Sequence, residues 1–115
     1  MLSEDKGKGD MKGRVIELAR QVDYQDGSVV SREMMRSKAG TVSVFAFDQG
    51  EGLSEHTAPF DALVQVLDGS AEVSIGGKLL KVGAGESVIM PAGVPHSLHA
   101  PERFKMLLTL IRGES

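Results

Sequence analysis

From Ser28 onward the chain is a succession of short apolar runs: SVVSREMM, TVSVFAFD, LVQVL, AEVSI, KLLKV, SVIM, HSLHA and FKMLLTLI. They are separated by Lys38-Ala39-Gly40, Asp68-Gly69, Gly76-Gly77, Gly83-Ala84-Gly85 and Pro91-Ala92-Gly93. Runs of roughly 4–8 residues between Gly-, Asp- and Pro-bearing turns are strands, so the pattern predicts an all-β barrel or sandwich. Alternation supports this: Ala71, Val73 and Ile75 share one face and Glu72 and Ser74 the other, while Val42, Val44 and Ala46 lie opposite Thr41, Ser43 and Phe45. FKMLLTLI is apolar at both parities, with Phe104, Met106, Leu108 and Leu110 opposite Leu107 and Ile111. That predicts a strand buried on two sides, the second side being a candidate subunit interface.

The N-terminal part reads differently. Residues 1–13 mix Lys, Asp, Glu and Gly with little to bury and are expected to form a disordered lead-in to one domain spanning 14–115. In VIELARQVDY, Val15, Leu18, Ala19 and Val22 fall at helical spacing, but the β-branched residues fit a helix poorly. A short helix or a packing arm is expected there.

Composition narrows the chemistry. With 115 residues and 41% apolar content the chain has the material for one core. Thirteen basic against sixteen acidic residues provide no basic stripe for a phosphate backbone, so nucleic acid is not an expected partner. The absence of cysteine excludes disulfides, thiolate metal sites and cysteine nucleophiles. No apolar run has the length of a membrane span, no signal-peptide pattern opens the chain, and a cytoplasmic location is expected. The serines lack a nucleophile-elbow pattern, and no glycine-rich loop matches a phosphate-binding fingerprint.

Two stretches carry more specific information. GEGLSEHTAPFDALVQVLDG resembles the first cupin motif through Gly50, His56 and Gly69, and GESVIMPAGVPHSLHA resembles the second through Gly85, Pro91, Gly93 and His96. The chain is thus similar to small cupins of the conserved-barrel type. The resemblance implies a double-stranded β-helix, or jelly-roll barrel, with a small-molecule pocket in its mouth. In metal-binding members the first motif supplies two histidines and a glutamate and the second one histidine, a set suited to Fe, Mn, Ni, Cu or Zn. Here Ala58 stands at the second histidine position, Ala62 at the glutamate position and Ala100 at a usual asparagine. His56 and His96 remain as metal-ligand candidates, with Asp61 a candidate third ligand if its loop re-aims it, and any divalent metal is expected to bind weakly.

The expected pocket residues are His56, His96, Gln65, Phe47, Phe104 and Met106. His99 has the opposite parity to His96 and should face outward unless a bulge intervenes. Three functions follow, in order of preference: a binding or sensing domain for a small organic ligand without turnover; a metal-dependent oxygenase or isomerase using His56 and His96 with a replacement ligand; and a metal-free lyase or isomerase with His96 as acid or base. Catalytic residues are not assigned, and no organic cofactor is expected. The resemblance, with the doubly apolar last strand, implies a homodimer.

Overall fold

The computed structural model describes residues 11–112 of the chain. Nine strands carry the fold: β1 (Val29–Ser37), β2 (Gly40–Phe47), β3 (Gly52–His56), β4 (Phe60–Asp68), β5 (Ser70–Ile75), β6 (Lys78–Gly83), β7 (Ser87–Met90), β8 (His96–His99) and β9 (Phe104–Arg112). They form a five-stranded sheet in the order β1-β2-β9-β4-β7 and a four-stranded sheet in the order β3-β8-β5-β6, with antiparallel pairing throughout. This is the expected all-β double-stranded β-helix.

All eight apolar runs lie within strands or overlap them. β3 is the additional one, because GLSEH offers a single apolar side chain, Leu53, and its pairing comes from the backbone of β8. Inward-facing side chains of both sheets build the main core. Val64 and Val66 of β4, Ala71 and Val73 of β5, Leu98 of β8 and Phe104 and Met106 of β9 are all buried in one cluster. The alternation of strand side chains thus puts every second residue of β4 and β5 inside, where β-branched residues pack well on a pleated surface. Phe47 stacks on Phe104 with ring centroids 4.4 Å apart.

Gly69, between β4 and β5, adopts φ +73°, and a side chain there would collide with the carbonyl oxygen of Arg103. A glycine is required by backbone sign and by close approach together.

β9 is buried on its inner side at Phe104 and Met106; on its second side Leu107 is partly covered by the chain's own N-terminal arm, while Ile111 is exposed. Val22 is buried with Val44 and Ala46, and Leu18, Tyr24 and Leu107 pack against them. Residues 15–24 therefore form a packing arm, in which helical structure is limited to the 3-10 turn Leu18–Arg20. Leu18, Val22 and Tyr24 find a ready sheet face while Val15 is exposed, and a segment of ten residues with three β-branched side chains gains little from helix formation alone. Polar contacts fasten it: Lys105 Nζ donates to the Ala19 carbonyl at 2.6 Å, and the Tyr24 hydroxyl donates to Asp68. Arg103 and Lys105 lie over the Tyr24 ring, and Arg103 pairs with Asp26 and Asp48, each at 2.7 Å.

The expected disordered lead-in lies outside the described residues apart from residues 11–13. Among the described residues no helix is long and apolar enough to cross a membrane.

Candidate functional site

The site begins with two neighbouring strands. β3 pairs with β8, and after a register irregularity His56 stands directly opposite His96. The Pro91-Ala92-Gly93 turn before β8 sets the position of the second histidine. Gly93 takes φ +76° and its N–H donates to the Ala58 carbonyl at 2.8 Å, tying the turn to the loop that follows His56. The two rings meet edge to face, with centroids 4.4 Å apart and Nε2 to Nε2 3.2 Å. His56 sits exposed at the rim, whereas His96 is 5% exposed and is the polar residue that the described core buries.

Each ring is held from behind by the backbone carbonyl two residues earlier. His56 Nδ1 lies 2.8 Å from the Ser54 carbonyl oxygen, and His96 Nδ1 lies 3.1 Å from that of Val94. Both contacts orient Nε2 toward the other ring.

The pair opens on a cavity of about 170 Å³ between the two sheets. Leu53 from β3, Leu98 from β8 and Met90 from β7 form part of its wall, and Met106, Leu108 and Leu110 from β9 form another part. Phe60, Ala58 and Ala62 complete it. The two alanines at the altered motif positions thus face the same space as the two histidines.

Of the expected pocket residues, the structure brings His56, His96 and Met106 to this cavity. Phe47 and Phe104 do not line it: both are fully buried, and their mutual stacking fills the core. Gln65 does not line it either, since it has the opposite parity to the inward Val64 and Val66 and is paired opposite Leu107 and Ser87. Asp61 is likewise turned away. Its Oδ1 accepts a hydrogen bond from the Ala92 N–H at 2.8 Å. His99 faces outward, as parity predicts, with Nδ1 3.1 Å from Glu72 Oε1. Leu98, Leu108 and Leu110 are wall residues that motif spacing does not point to. Alternation in HSLHA and FKMLLTLI places Leu98 on the face of His96 and Leu108 and Leu110 on that of Met106, and this signal could have found them.

The donor set does not fit a resident divalent metal. Such sites use three or four protein ligands. Among the described residues no third His, Cys, Asp or Glu joins the pair to form a metal-binding group, and the positions where ligands are expected carry methyl side chains.

A two-sheet barrel with a histidine pair in its mouth defines the class. The family model of the cupin domain matches residues 43–111. The chain belongs to the cupin family. It is similar to a crystal structure of a conserved protein of unknown function from Streptococcus pyogenes, at 34% identity over 90% of each chain and a TM-score of 0.84. A cupin 2 conserved-barrel protein from Leptotrichia buccalis is 41% identical, with a TM-score of 0.81, over 84% of this chain and 47% of that one. An uncharacterised protein of Streptomyces coelicolor is 29% identical over 86 residues, 75% of this chain and 80% of its own length.

Proposed function

We propose that this cupin is a binding module that holds a small organic ligand in the cavity at the barrel mouth without transforming it. The observation that carries this reading is the composition of the wall: nine apolar side chains surround His56 and His96, and two of them, Ala58 and Ala62, stand where metal-binding relatives of the fold carry ligands. A concave, largely apolar site with a few placed polar groups is the usual form of a small-molecule pocket. The ligand set points the same way, because no group of three metal-binding side chains gathers at the pair among the described residues.

Methyl NMR tests the reading directly. Met90 and Met106 line the cavity, whereas Met34 and Met35 lie on the outer side of the five-stranded sheet, beside the arm. Titration with ring-sized molecules such as toluene, phenol and benzoate should shift the ε-methyl signals of Met90 and Met106 saturably and leave those of Met34 and Met35 in place. If no member of the panel moves the two cavity methyls, the proposed role is wrong.

A further inference from the structure

The wall fixes the size and apolarity of a ligand, and the two histidines fix its polar group. A backbone carbonyl oxygen only accepts hydrogen bonds, so the contacts of Ser54 and Val94 place a proton on Nδ1 of His56 and of His96. In the neutral rings both Nε2 atoms are then bare acceptors, and they face one another at 3.2 Å. Two lone pairs at that distance repel. A proton shared between them would relieve the repulsion too, but it would bring charge to the buried His96 ring with no carboxylate joining the pair among the described residues. One hydrogen donated from outside resolves the conflict without adding charge. An O–H aimed between the two Nε2 atoms forms a three-centre hydrogen bond to both.

We infer that the cavity selects an uncharged, ring-sized molecule with an apolar body and a single hydroxyl, a phenol or a comparable alcohol. This inference rests on the binding role proposed above and names the ligand's chemical class. The volume of about 170 Å³ suits it, since an apolar cavity of about 150 Å³ accommodates benzene. Neither sign of charge meets a permanently charged partner: no Lys or Arg lines the space to pair with an anion, and no Asp or Glu lines it to pair with an ammonium group. A second polar group on the ligand would face Leu, Met, Ala or Phe and lose its hydration without replacement. Selection for one hydroxyl over none is therefore made by His56 and His96 alone.

Calorimetric titration of the intact protein with toluene, phenol, benzoate and benzylammonium at neutral pH tests this. Phenol should bind most tightly, about tenfold above toluene, as one net hydrogen bond allows. The two charged molecules should bind more weakly than toluene. His56→Leu, at the exposed rim, should erase the difference between phenol and toluene, and the Met90 and Met106 methyl shifts with toluene report whether the variant's cavity is intact. Equal affinity for phenol and toluene overturns the inference while leaving the binding role standing, and so does tightest binding by benzoate. Failure of every molecule to bind overturns both.

Discussion

The Asp61 carboxylate accepts a hydrogen bond from the backbone N–H of Ala92, 2.8 Å away and thirty-one residues along the chain. The carboxylate next in sequence to the altered ligand position is therefore committed to the turn that delivers His96 to the cavity. Asp61→Ala should lower stability by about 1–2 kcal/mol in urea unfolding, since it removes a charge-assisted hydrogen bond to the backbone. It should also weaken ligand binding several-fold through loss of the His96 position, and it should leave metal affinity unchanged. A clear drop in metal affinity would show that Asp61 is a ligand after all.

Ala58 and Ala62 make the metal question reversible. The present chain should lose any divalent ion on dialysis against a chelator, because two imidazoles make an incomplete set. The double variant Ala58→His, Ala62→Glu adds an imidazole and a carboxylate to the same cavity and should retain about one equivalent in elemental analysis. Stoichiometric metal surviving dialysis in the unaltered protein would contradict this expectation.

Tyr24 is the single tyrosine of the chain, so its ionisation can be followed by ultraviolet absorbance without interference. Burial of the phenol, together with its hydrogen bond to Asp68 and the charge of that carboxylate, pushes its pKa well above the usual value. A phenol that binds its proton more tightly in the folded chain stabilises the fold fully below the unfolded pKa of about 10, and that contribution is lost as pH rises beyond it. The folded protein should therefore show no tyrosinate near pH 10, and Asp68→Asn should lower the midpoint. Ordinary titration near pH 10 in the intact protein would mean that the arm is not seated.

On the acid side Asp48 contributes a pH-dependent part of the stability. The N–H of Gly27 and the Arg103 guanidinium hold its carboxyl below the usual carboxylate range. The folded chain thus binds this proton less readily than the unfolded one, so the contribution is complete above about pH 4 and disappears as pH falls through the lowered value. Asp48→Asn should flatten the fall in urea midpoint on acidification below about pH 4. An unchanged slope would remove Asp48 from the account.

Self-association is expected at the free edge of the five-stranded sheet. Among the described residues β1 pairs on one side only, Met35 on it is exposed, and a groove containing Ile16, Leu18, Met34 and Val42 runs beside it. An edge of this kind is commonly covered by another strand, and a second copy related by a twofold axis closes it. Light scattering at micromolar concentration should give about twice the 12.3 kDa of the chain, and Met35→Lys should shift it toward the monomer. A monomeric mass for the unaltered protein would end the proposal.

The barrel was legible because two signals coincide in the sequence: period-two apolar patterns, and glycines or prolines at the turns between them. The arm was half legible, since spacing in residues 15–24 announces apolar contacts but not the partner surface. Leu107 supplies part of that surface, and a sequence does not show which apolar face of the same chain a segment reaches. At the site, motif spacing located His56 and His96. It misled at Gln65, Phe47 and Phe104, where alternation along β4 and ring stacking in the core decide which side chains reach the cavity. Asp61 could not be placed from its spacing, because a distant backbone N–H competes for its carboxylate.

In β9, Met106, Leu108 and Leu110 line the cavity, while Leu107 between them seats the arm. One short segment therefore encodes two properties at alternate positions. On the proposed binding role, substitutions at the partly buried Leu108 and Leu110 would reshape the cavity wall while Leu107 keeps the arm docked.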